Sequence, residues 1–190
     1  MKNIRFIVLI ISILIFTNCD INNTPIELDN ITSQDSNIAE KNLNSDTYQI
    51  KILKTSKAND IVFKISNPIG KSLEDVIIIG ANFENKIPIT LTEIDPINKI
   101  ELYDIDNDGF DELFIFTTSA GSGSYGSIYA FTSNKGVGLK PIIVDDFIFD
   151  DYSGHDSFYF ENNMLIREYP NSDKNIKIKY KLIDNKLSII

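Results

Sequence analysis

The sequence predicts an all-β domain, an antiparallel β-sandwich or closed barrel of about ten short strands. Three observations carry this expectation. Apolar residues recur at period two from Thr47 onward. Clusters rich in Asn, Asp and Gly punctuate the runs. No long segment combines helical spacing with good caps.

The first run is TYQIKILK, where Tyr48, Ile50 and Ile52 alternate with Gln49 and Lys51. After the turn material SKAND, DIVFKIS repeats the pattern with Ile61, Phe63 and Ile65. Such alternation marks a strand with one face on the core and one in water. KIPITLTEI from Lys86, ELFIFTT from Glu112, SIYAFTS from Ser127 and PIIVDDFIF from Pro141 continue it. SFYFEN from Ser157, MLIREY from Met164, NIKIKYKLI from Asn175 and KLSII from Lys186 complete it. The separators NPIGK, NDG, NKG, ENN, PNSDKN and DN are turn chemistry. Residues 47–190 are enough chain to bury a core without staples. That matters, because Cys19 is the single cysteine and no intrachain disulfide can form. One histidine, His155, cannot make a multi-histidine zinc site.

The N-terminus reads differently. Lys2 and Arg5 precede the apolar run FIVLIISILIF, and TNCD follows it. A basic head, a short apolar run and a small-residue exit make a bacterial signal peptide over 1–18. The run is shorter than the roughly 20 apolar residues of a membrane span. FTNC resembles a lipobox, which implies lipidation at Cys19 and a membrane-anchored periplasmic protein. Residues 19–46 are rich in Asn, Asp and Ser without sustained apolar period, and read as a tether.

Acidic residues number 27 against 18 basic, a net charge of −9. Loss of Lys2 and Arg5 with the signal peptide leaves 27 against 16, a net −11. This balance argues against nucleic acid or anionic lipid as a charge-driven partner and suits a cationic one. Contact with a membrane is expected only through the lipid at Cys19.

YDIDNDGFDEL places Asp104, Asp106 and Asp108 on alternate positions, then Gly109, with Glu112 closing the run. Hard oxygen ligands in a tight loop suit calcium. An EF-hand is ruled out, because Ile115 stands where its closing Glu belongs. The alternative is an acidic turn whose Asp side chains bond their own backbone. A calcium-dependent envelope binding module is the functional reading that goes with the first. No other cofactor is expected.

Hydrolase chemistry finds little footing. Adjacent carboxylates such as Asp111 and Glu112 point to opposite faces of a strand, whereas a glycosidase needs two facing groups roughly 5 to 10 Å apart. Ser122 or Ser124 as a nucleophile would have only His155 as a base, and SGSYG is not a strand-to-helix elbow. No enzyme activity is expected.

TSAGSGSYGS, Thr118 to Ser127, sits between two strand runs. It combines small residues with one large aromatic, Tyr125, which suits a slim probe with an amphipathic tip. DIDNDGFDELFIFTTSAGSGSYGSIYAFTSNKG, Asp104 to Gly136, resembles the core of the periplasmic inhibitors of invertebrate-type (I-type) lysozyme. DDYSGHDSFYFENNMLIREYP, Asp150 to Pro170, resembles the same family. That resemblance implies a non-catalytic β-sandwich that inserts a Ser-Gly-x-Tyr loop into the lysozyme cleft. Carried over, the motif is Ser122, Gly123, Ser124 and Tyr125, with Ser122 and Tyr125 as anchors. His155 and Asp156 either rim the same surface or act structurally, capping a turn and binding backbone amides; the structural role is preferred.

Overall fold

Twelve strands and a short 3-10 turn, Asn134–Gly136, account for the regular structure of the residues described, 48–66, 72–145, 152–172 and 174–190 of a computed structural model. Contacts divide the chain into Met1–Ser36 and Asn37–Ile190, and every described residue belongs to the second unit. The expected signal peptide, Cys19 and the tether lie outside the described residues.

The first four strands are β1 (Tyr48–Lys54), β2 (Asp60–Ser66), β3 (Glu74–Gly80) and β4 (Ile89–Ile94). They form an antiparallel sheet in that order. The remaining strands are β5 (Ile97–Tyr103), β6 (Glu112–Thr118), β7 (Gly126–Thr132), β8 (Lys140–Val144), β9 (Ser157–Glu161), β10 (Met164–Asn171), β11 (Lys174–Ile183) and β12 (Lys186–Ile189). They make one eight-stranded sheet in the order β5-β6-β7-β8-β12-β11-β10-β9. All its pairs are antiparallel except β8 with β12, because β12 returns from the β11 hairpin to fill the place beside β8.

The eight-stranded sheet curls into a half-barrel until its edge strands β5 and β9 meet. They meet through rings: Tyr103 stacks on Phe160 with centroids 4.2 Å apart. Phe114 and Phe116 of β6 reach the same seam, 4.8 Å from Phe160 and 5.0 Å from Phe158. The barrel core also holds Leu165, Tyr169, Ile178, Tyr180 and Leu187. A second core lies where the four-stranded sheet covers the outer face of β6 and β7, joining Ile61, Phe63, Val76 and Ile78 to Leu113, Ile115 and Phe131.

The architecture is the all-β class expected, with differences in detail. ELFIFTT is buried on both faces, since β6 is a wall shared by the two cores. β3 and β5 were not separable by period two: VIII in β3 is a continuous apolar run, and β5 carries a bulge between Ile97 and Lys99. β1 presents its apolar stripe the opposite way from expectation. Leu53 and Lys51 lie across from the buried Ile61 and Phe63, so Ile50 and Ile52 point outward, 41% and 47% exposed. Alternation defines two faces of a strand but not which of them meets the core.

Candidate functional site

The β6–β7 hairpin ends its ladder at Thr118 opposite Gly126, and the loop Ser119–Tyr125 rises from that point. Its neck is closed twice. The Ser119 amide donates to the Tyr125 carbonyl at 2.9 Å, and the Tyr125 amide donates to Ser119 Oγ at 2.9 Å. At the tip the Ser124 amide donates to the Gly121 carbonyl at 3.0 Å. This makes a four-residue turn with Ser122 and Gly123 at its two corners. Ser122 is exposed. Ser124 adopts a left-handed φ of 45°, a conformation that persists only where neighbours enforce it.

Tyr125 is 47% exposed. Its ring meets Tyr152 edge-on at 5.4 Å, and Tyr152 meets Tyr169 in the same way at 5.0 Å. A ladder of three tyrosines thus runs from the barrel core, where Tyr169 is buried, to the loop surface. Tyr125 has its ring supported while about half of the residue stays exposed.

The segment 152–156 buttresses the loop from beneath. The His155 amide is shared between the carbonyls of Gly123 and Ser124, at 3.0 and 3.1 Å. The His155 side chain itself is on an exposed residue. Asp156 turns inward with its side chain wholly buried, and Oδ2 accepts from the Gly126 amide at 2.7 Å. It therefore binds a backbone amide, with its carboxylate turned away from the surface.

Two residues the sequence did not single out complete this base. Arg167 projects into the barrel and donates to Asp156 Oδ1 at 2.6 Å, to the Tyr152 hydroxyl at 2.6 Å and to the Gly126 carbonyl at 3.1 Å. Burial opposes its charge, but the hydrogen bond and charge of Asp156 prevail and hold its pKa above the ordinary arginine value. The Tyr152 hydroxyl also donates to Asp156 Oδ2. Burial and that bond push its pKa up to about 12. The signal for Arg167 is in MLIREY: it falls between Leu165 and Tyr169 on the apolar alternate, where a cation requires a buried counter-charge. Beside the loop, Tyr125, Tyr152, Asp145 and Arg167 line an open cavity of about 450 Å³.

The acidic loop lies at the other end of β6. Asp104, Asp106 and Asp108 each bring an oxygen within 4.8 Å of the others, close enough to share one divalent cation. Oxygens of the same three carboxylates accept from the amides of Asp108, Gly109 and Phe110 at 2.9 to 3.1 Å. Those bonds shape the loop as an acidic turn. Burial, followed by the charges of Asp108 and Asp104, raises the pKa of Asp106. Glu112 is not grouped with the three aspartates. It is buried below them, accepting from the Ile105 amide at 3.2 Å and from Thr132 Oγ1 at 3.5 Å. Asp111, next to it, instead accepts from the Ser56 amide, so the two neighbours diverge as residues on opposite strand faces must.

No protein-family model matches the chain, and no curated protein matches it. Among solved structures the chain is similar to PliI-Ah, a periplasmic lysozyme inhibitor of I-type lysozyme from Aeromonas hydrophyla, at 31% identity and a TM-score of 0.40. The match covers 50% of this chain and 85% of that one.

Proposed function

We propose that the protein inhibits lysozyme of the I type, in the periplasm and from a lipid anchor at Cys19, by inserting the loop Ser122–Tyr125 into the active-site cleft. One observation carries this reading: an exposed serine and a half-exposed tyrosine stand on a backbone already held in shape. Such holding lowers the ordering penalty of binding. A lysozyme cleft contains a protonated acid and an ionised carboxylate. The Ser122 hydroxyl can accept from the first or donate to the second. Tyr125 supplies an apolar ring with a polar end, a frequent anchor of protein interfaces. The negative net charge favours encounter with a basic enzyme. The test is inhibition of purified lysozymes of several classes. Inhibition of an I-type enzyme supports the proposal, and activity unaffected at micromolar protein removes it.

A second reading is favoured by the 4.8 Å approach of the three aspartate oxygens. Calcium held there would brace the start of β6. β6 spans roughly 20 Å, so such an ion would stabilise the hairpin from the end opposite the probe loop. It predicts a melting temperature that rises with calcium and falls back with chelator; no response removes it.

A further inference from the structure

Gly126, the residue after Tyr125, has its amide and carbonyl directed away from β6, since the Thr118 amide donates to Pro96 instead. On that side the β7–β8 pairs among the described residues run from Ala130 to Thr132. An ion pair takes up both of these groups. Asp156 Oδ2 accepts the Gly126 amide at 2.7 Å, and Arg167 Nη2 donates to its carbonyl at 3.1 Å. The pair itself is closed by Arg167 Nε to Asp156 Oδ1 at 2.6 Å and is buried, with side chains 9% and 0% exposed. The approach is close enough that a Cβ on Gly126 would fall 2.8 Å from Asp156 Cβ and 2.7 Å from the Phe158 ring. One residue before Asp156, the His155 amide takes the carbonyls of Gly123 and Ser124.

We infer that Arg167 and Asp156 are positioning residues for the probe loop: their ion pair holds both backbone groups of Gly126 and thereby fixes where Ser122 and Tyr125 stand. This rests on the reading of the loop as an inhibitory plug. The pair fixes both ends of the tip. It holds Gly126 directly, and it holds the Gly123–Ser124 carbonyls through the short chain from Asp156 to His155. Tyr152 couples the pair to the ring of Tyr125, because its hydroxyl touches both members while its ring meets Tyr125. Neither Arg167 nor the Asp156 carboxylate needs to touch the partner.

The experiment compares Arg167→Lys, which keeps charge but loses the planar fork, and Tyr152→Phe, which keeps the ion pair and removes the shared hydroxyl. Three quantities are read: the inhibition constant against an I-type lysozyme, amide exchange at Gly126 and His155, and melting temperature. Arg167→Lys is expected to weaken inhibition roughly tenfold and to speed exchange at both amides relative to β11 and β12. In a Tyr125→Ala background the same substitution should have a much smaller effect, since coupled residues are non-additive. Unchanged exchange, or a full additive effect in that background, overturns the inference. Should Arg167→Lys fail to fold, Tyr152→Phe decides: faster exchange at Gly126 supports positioning and unchanged exchange overturns it. If the natural protein inhibits no lysozyme, the functional reading fails by itself, while exchange still reports whether the pair holds the loop.

Discussion

Gly154 lies so close under the probe loop that a Cβ placed on it would fall 1.8 Å from the Gly123 carbonyl oxygen. Its φ of 81° is also one that residues with a side chain rarely adopt. The contact brings the buttress 152–156 directly onto the tip of the loop. Gly154→Ala must therefore displace one of them. The expected result is loss of most lysozyme inhibition together with a destabilisation of about 1–3 kcal/mol. Inhibition assays beside thermal melts check it; a variant that inhibits normally would show that the tip does not depend on its support.

Ser122 and Tyr125 should behave differently from Gly154, because neither is needed for folding. Ser122 is exposed and Tyr125 is half-exposed, so Ser122→Ala should shift stability by no more than about 0.5 kcal/mol. Loss of a hydroxyl bonded to a charged cleft group should weaken inhibition by roughly 10- to 100-fold. Tyr125→Ala should cost about 2 kcal/mol or more of binding, with a small loss of stability from its edge contact with Tyr152. Paired measurements of inhibition and melting separate the two effects. A double variant that inhibits like the natural protein would place the interface elsewhere.

Much of this site was legible in the chain, and what was not has a physical reason. Tyr125 among small residues between two strand runs marks a projecting loop, and the structure places that tyrosine at the surface. The strand runs themselves follow from period two, but β6 shows where the rule stops. Leu113 to Phe116 is uninterrupted apolar sequence because one face packs in the barrel and the other under the four-stranded sheet. The support beneath the loop was the least visible part. Arg167 is 41 residues from Gly126, and only the curl of the eight-stranded sheet brings β10 under the β6–β7 hairpin. Local pattern could show an arginine on an apolar face, not which carboxylate answers it.

Closure of the half-barrel by rings and not by a ladder makes the seam between β5 and β9 sensitive to side chains. Phe160 touches Tyr103, Phe114 and Phe116. The Tyr103 hydroxyl adds a bond to Asn163 Oδ1 at 3.3 Å. Phe160→Ala removes the hub of this cluster and should destabilise the protein by about 3 kcal/mol. Phe160→Leu, which keeps bulk without the ring, should recover part of that. Denaturant unfolding of the two variants checks the order. Equal stability of Phe160→Ala and the natural protein would mean that the seam contributes nothing to holding the barrel.

Glu112 gives the protein a pH dependence of predictable sign. Burial, and after it the charges of Asp106, Asp108 and Asp104, push its pKa up to about 8 from 4.5, against the opposing bond from the Ile105 amide. Below pH 4.5 the carboxyl is protonated folded or unfolded, and stability is at its full value. Between these limits the unfolded chain ionises while the folded protein keeps its proton, so stability falls as pH rises. Above pH 8 the folded state holds a buried carboxylate and the loss is complete. Glu112→Gln keeps an acceptor for Ile105 and cannot ionise. At pH 8.5 it should melt above the natural protein by roughly 3–8 °C, the equivalent of about 1–2 kcal/mol, and at pH 4 the difference should nearly vanish. Melting curves across this range decide the matter: a gap that is constant with pH would mean that Glu112 titrates alike in the folded and unfolded protein.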